Sequence, residues 1–158
     1  MAQILQIAAI AAATLGTGAA TLTVMNEDIP DLQVPAGAWS DQGALDGMTF
    51  AVLGTDLDSG AELEDVIHFR DGAFQSVDCQ QYCDFGWSDY QTKNVDGVIH
   101  FTATTLCPDA PHTVVWYGTV EGDKMKLDVT WTTRRWYWTN QIRVRGTAER
   151  DNAEAVSS

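Results

Sequence analysis

The chain has 158 residues and a formal net charge of −13, from 22 acidic side chains against 9 basic ones. A chain this acidic is poorly suited to nucleic-acid phosphates or anionic lipid surfaces, so no nucleic-acid partner is expected. The length suits one domain with its own core, and the acidic surface serves solubility.

The first 25 residues carry no charged side chain. An apolar, alanine-rich run over 4–15 leads into Gly16-Thr17-Gly18-Ala19-Ala20. An apolar core followed by small residues is the pattern of a secretory signal peptide. Residues 1–20 are therefore expected to be a leader cut after Ala19 or Ala20, although no Lys or Arg precedes the run. A retained anchor or a core helix is the competing reading. The run is short for a spanning helix, which needs about 20 apolar residues, so no stable membrane span is expected in the mature chain. Residues 21–44, with Pro30 and Pro35, form an irregular lead-in, and 150–158 a small, polar, frayed tail.

Between them, residues 45–149 read as short alternating segments separated by tight turns. The segment over 48–53 comes first. Arg70-Asp71-Gly72 joins 66–69 to 73–77, and Asn94-Val95-Asp96-Gly97 joins 90–93 to 98–105. Asp-Gly between alternating runs is among the strongest local hairpin signals. The segment 113–120 is rich in β-branched and aromatic residues. It turns through Glu121-Gly122-Asp123 into Met125-Lys126-Leu127-Asp128-Val129-Thr130-Trp131. There the period of two buries Met125, Leu127, Val129 and Trp131 and wets Lys126, Asp128 and Thr130. A last long strand over 136–147 sets Trp138, Ile142 and Val144 on one face and Arg143 and Arg145 on the other.

These make about eight strands spaced by roughly 8–12 residues, the spacing of an all-β sandwich or barrel. The short connections favour a single antiparallel up-and-down barrel of lipocalin or calycin type, because closing the sheet removes its exposed edges. By strand direction, the loop Arg134-Arg135-Trp136-Tyr137-Trp138 is expected at the end holding Arg70-Asp71-Gly72 and residues 94–97. The longer loops over 80–89 and 107–112 are expected at the opposite mouth.

Three cysteines are present, Cys79, Cys83 and Cys107. Cys79 and Cys107 end strands two apart, so about 10 Å separates them across the sheet, too far for a bridge. Cys83 lies in the loop beyond and can reach across. A Cys83–Cys107 disulfide with Cys79 free is therefore expected, with Cys79–Cys107 as the rival pair. Either suits a periplasmic or secreted protein. A metal site on Cys79, Cys83 and a histidine would need a second Cys/His pair that the spacing does not supply, so no metal is expected.

The run Ile67-His68-Phe69-Arg70-Asp71-Gly72-Ala73-Phe74, then Ser76, Cys79 and Tyr82-Cys83-Asp84-Phe85, resembles an uncharacterised family of secreted bacterial β-barrel proteins of lipocalin-like appearance. Trp116-Tyr117-Gly118-Thr119-Val120-Glu121-Gly122-Asp123, Trp131, Trp136-Tyr137-Trp138 and Gly146-Thr147 fit the same pattern. The likeness spans residues 45–149. It implies the fold and export and carries no known substrate or cofactor. Cys79 belongs to the pattern, whereas Cys83 and Cys107 replace small residues, two departures that meet at one barrel end.

Val66-Ile67-His68-Phe69 and Val98-Ile99-His100-Phe101 are the same tetrapeptide. If Ile67, Phe69, Ile99 and Phe101 face inward, His68 and His100 face outward; inward histidines as haem or metal ligands are the alternative. Six tryptophans are many for this length. Trp116, Trp131 and Trp138 fall on inward positions. With Phe69 and Phe101 they either fill the barrel or line a pocket for an apolar or planar ligand. Arg135 is placed to grip a ligand head group at the mouth, or else packs on the surface rings around it. An acid–base pair drawn from His112 with Asp84, Asp89 or Asp109 is conceivable at the long loops. No nucleophile elbow, phosphate loop or dinucleotide fingerprint is present, and no cofactor is expected. The expectation is an exported barrel that binds a small hydrophobic or amphipathic ligand. The alternatives are a barrel-cavity enzyme of cyclase or isomerase type and a side-chain-filled structural or interaction barrel of the cell envelope.

Overall fold

The computed structural model describes residues 34–39 and 43–152. The expected leader, most of the lead-in and most of the tail lie outside the described residues. Eight strands follow in order: β1 (Thr49–Asp56), β2 (Glu62–Arg70), β3 (Ala73–Ser76), β4 (Ser88–Val95), β5 (Val98–Leu106), β6 (His112–Glu121), β7 (Lys124–Arg135) and β8 (Trp138–Arg150). One short helix, α1 (Val77–Cys83), lies between β3 and β4. Each strand pairs antiparallel with the next, and β8 returns to β1, so the meander closes into the barrel expected over a sandwich.

The turn chemistry follows the residues. Asp71 and Gly72 both take positive φ (54° and 74°), as do Asp96 and Gly97 (52° and 87°). Two successive left-handed residues match the twist of the flanking strands, and Asp-Gly is the pair that tolerates them. The loop between β3 and β4 departs from expectation. Ser76 ends the strand and its hydroxyl accepts from the Cys79 amide, so the chain turns into α1 instead of an open loop. Cys79 therefore sits on a helix, buried, and not at a strand end. β3 meets β4 through only Ala73↔Asp89 and Phe74↔Ser88, and α1 begins where β3 ends at Ser76.

Alternation sets the two faces. Met125, Leu127 and Val129 point inward and are buried, with Trp131 packed against the same core. Ile67, Phe69 and Phe101 are inward too. His68 and His100 take the outward positions, where Nδ1 of His68 meets the Thr49 hydroxyl at 3.0 Å and Nδ1 of His100 meets the Tyr117 hydroxyl at 2.7 Å. The outer wall carries Glu62, Glu64, Lys124, Lys126 and Asp128. Trp39 of the lead-in packs edge-on against Tyr117 on this outer face, 6.3 Å between ring centres.

One half of the interior is filled with rings. Phe69 stands at its centre, 4.9 Å from Tyr90, 5.2 Å from Phe101, 5.3 Å from Phe74 and 6.2 Å from Phe50. Burying a side chain of this kind is worth about 1.5–3 kcal/mol, with more from the edge-to-face ring geometry. Gly118, directly across from Phe101, makes the packing fit: a Cβ there would strike the Phe101 ring and lie 2.9 Å from the Lys126 carbonyl. The base is sealed by fully buried Leu45, whose amide donates to the Tyr90 hydroxyl (3.0 Å). That hydroxyl donates in turn to Asp46 (2.8 Å), and Asp46 also accepts from the Gly72 amide. Burial together with the Asp46 carboxylate pushes the Tyr90 phenol far up, so it acts as a fixed neutral strut.

The β7–β8 loop lies at the opposite end from the one expected. In a closed meander successive connections alternate ends. This is the seventh, so it belongs with the first, third and fifth connections and not with the Asp-Gly turns of the second and fourth. The Arg134 amide donates to the Pro111 carbonyl at 3.0 Å, which places the hairpin beside the cysteine loops.

Candidate functional site

The other half of the interior is open. A cavity of about 420 Å³ enters at the cysteine end, lined by Val52, Leu63, Val114, Trp116, Leu127, Val129, Trp131, Ile142 and Val144 among others. Its size falls within the roughly 300–1,000 Å³ that small-molecule sites take. The floor is Trp116, whose ring lies 5.0 Å from Phe74 of the packed base. The indole N–H donates to the Thr105 hydroxyl (3.2 Å), so this buried ring is satisfied and held in one orientation.

Space exists because two strands meet without side chains. Gly54 and Gly146 are partners across the β1–β8 seam and both line the cavity. A Cβ on Gly146 would lie 2.7 Å from the Leu53 carbonyl, and one on Gly54 would lie 2.8 Å from Val144. Glycine at both positions lets the strands close and leaves the adjoining volume unfilled.

Helix α1 forms the remaining wall through Asp78, Cys79 and Tyr82. The disulfide Cys83–Cys107 ties its last residue to the β5–β6 loop, with Cα atoms 5.7 Å apart. Cys79 is the free cysteine, and burial pushes its thiol up to about 11, so it stands in the wall as a neutral group and not as a nucleophile. Tyr82 and Trp131 meet edge to face, 5.0 Å between centres, and Trp131 also packs on His112 at 5.4 Å.

The polar group that sequence reasoning missed is Asp65. It shares the parity of Ile67 and Phe69 on β2, and so faces inward, where it lines the cavity. That shared parity was the available signal. Its carboxylate accepts from the Ser76 hydroxyl (2.6 Å), the Asp78 amide (3.0 Å) and the Val66 amide (2.7 Å). Burial raises its pKa against the opposing pull of these hydrogen bonds.

The ligand-contacting set anticipated from sequence divides. Trp116 and Trp131 line the cavity. Phe69 and Phe101 lie below it in the packed base. Trp138 and Arg135 stand on the projecting β7–β8 hairpin, where they are exposed; Trp138 has inward parity, but at this height there is no barrel interior to face. Trp136, at the tip, is 94% exposed. Trp87 is covered in part by Arg70, whose guanidinium sits 4.5 Å from the ring centre. His112 Nδ1 contacts the Thr133 hydroxyl (2.9 Å), and Asp84 accepts from Gln80 (3.0 Å), so neither is committed to an acid–base pair. Among the described residues, no group of three or more His, Cys, Asp or Glu side chains is placed to hold a metal ion. No helix among them is long and apolar enough to cross a membrane.

No family model, curated protein or solved structure matches this chain.

Proposed function

We propose that this protein is an exported, lipocalin-like barrel that binds a small hydrophobic or amphipathic molecule in its open half. The observation that carries this is the apolar cavity of about 420 Å³, bounded by Trp116 and Trp131 and entered from one end. An apolar cup with few polar groups supplies affinity by burial and uses those groups for orientation. Periplasmic or secreted placement draws support from the Cys83–Cys107 disulfide, which persists in oxidising compartments, and from the apolar leader pattern. The charged outer wall and apolar interior are the reverse of an outer-membrane barrel, which puts apolar side chains outside.

The enzyme reading draws on one observation, the inward carboxylate of Asp65. Both of its oxygens already accept from Ser76, Asp78 and Val66, so it is arranged to hold a charge in place more than to move a proton. The filled-barrel reading describes the base and leaves the cup unexplained.

The test is native mass spectrometry of protein purified from its source, set against the denatured mass. A small-molecule adduct in the native spectrum supports the carrier reading, and the denatured mass reports whether residues 1–20 are gone. Absence of an adduct, together with no binding of the neutral fluorophore N-phenyl-1-naphthylamine, would overturn it.

A further inference from the structure

The charges around the cup are one-sided. Asp56, Asp65 and Asp78 line it, Glu64 on the outer parity of β2 borders its edge, and no Lys or Arg lines it among the described residues. Asp56 sits at the rim end of β1, where the Ser59 hydroxyl (2.7 Å) and the Asp58 amide (2.9 Å) hold its carboxylate below the usual range and therefore charged. Asp65 lies deeper in the wall. Its Oδ2 takes one hydrogen bond, from Ser76, and a carboxylate oxygen has capacity for a second. Beside these groups stand the rings of Trp116, Trp131 and Tyr82, whose faces attract cations.

An apolar, aromatic cavity lined by carboxylates and by no Lys or Arg, with His112 at its mouth, discriminates by ligand charge. A fatty acid would bring a carboxylate into a field of like sign and find no arginine fork to receive it. An amine on an apolar body would leave its carbon skeleton against Val114, Leu127, Val129 and Val144. Its ammonium would then meet Asp65 as a charge-assisted hydrogen bond in a partly desolvated setting, where such bonds are strongest.

We infer that the ligand of this cup is a small lipophilic amine, bound as its cation with the ammonium at Asp65. This rests on the carrier reading above and narrows it to a charge class.

The experiment is calorimetric titration at pH 7 with three probes of one chain length, octylamine, octanol and octanoate. Octylamine should bind about tenfold or more tightly than octanol, the scale of one charge-assisted hydrogen bond, with octanoate weakest. In Asp65→Asn the preference for octylamine over octanol should fall to within about threefold. Because Asp65 also braces Ser76 and α1, near-ultraviolet circular dichroism checks that variant's fold. The double variant Asp56→Asn/Glu64→Gln, which leaves the Asp65 hydrogen bonds intact, should weaken octylamine by a smaller factor. Equal binding of octylamine and octanol overturns the amine inference and leaves the carrier reading standing, and so does tightest binding of octanoate. Failure of all three probes to bind overturns both.

Discussion

The two halves of this barrel interior are built from the same alternation and end in opposite states. In the base, Phe50, Phe69, Phe74, Tyr90 and Phe101 converge from five strands and leave no space. At the cysteine end the inward positions of β1 and β8 carry Gly54, Val144 and Gly146, and a cavity stands where rings would otherwise meet. An eight-stranded barrel is just wide enough for its own side chains to fill it, so the choice between plug and pocket rests on side-chain volume at a few inward positions. Closure is shared by both halves, while capacity belongs to one.

The sharpest way to break this contrast is to remove one ring from each half. Phe69→Ala should cost about 3–5 kcal/mol, because it opens a void among four other rings. Trp131→Ala removes a larger side chain but should cost less, about 1–2 kcal/mol, since that ring is only partly buried and one side of it faces the open cup. Urea unfolding of both variants measures the difference. Equal losses would mean that the cup is as tightly packed as the base.

A disulfide confined to one end should act on that end. Cys83→Ser with Cys107→Ser releases a loop closed across a sequence separation of 24 and should cost about 2–4 kcal/mol. Hydrogen exchange should accelerate in α1 and the β5–β6 loop while the amides of β4 and β5 near Tyr90 and Phe101 keep their protection. Uniform acceleration would show that the two ends unfold as one.

The smallest effect concerns Asp65. Burial raises its pKa in the native state above the ordinary 3.8. The native state therefore keeps a proton that the unfolded chain has already lost. The stability linked to that proton is present below about pH 3.8 and lost as pH rises through the native value. Asp65→Asn should remove this loss, so unfolding free energies of variant and wild type should diverge in the variant's favour between pH 3.5 and 7. A constant difference over that range would place Asp65 in water.

Much of this fold is legible in local residue patterns. The alternation from Met125 to Trp131, the Asp-Gly turns and the short connections favour a closed meander over a sandwich. The Cys83–Cys107 pair is the one expected, although the strand-end position assumed for Cys79 is wrong, since it and Cys83 lie on α1. The seven-residue helix α1 is harder to see, since its main local sign is Ser76 as an N-cap directly after a strand pattern. The end occupied by Trp136 depends on counting every connection, including the interrupted one at α1. Asp65 was legible, because its parity is that of Ile67 and Phe69, but a carboxylate in an inward register is set aside when every inward position is assumed to be apolar. The cup itself was not legible. It depends on Gly54 and Gly146 meeting across the closing seam, and that pairing exists only once the first and last strands are joined.

The most direct test of the division between filled base and open cup is two-dimensional NMR of the tryptophan indole N–H signals during titration with N-phenyl-1-naphthylamine. The account predicts that Trp116 and Trp131 shift while Trp136 at the hairpin tip and Trp87 outside the wall stay fixed. Shifts confined to Trp136 and Trp138, with Trp116 unmoved, would contradict it and place binding on the projecting hairpin.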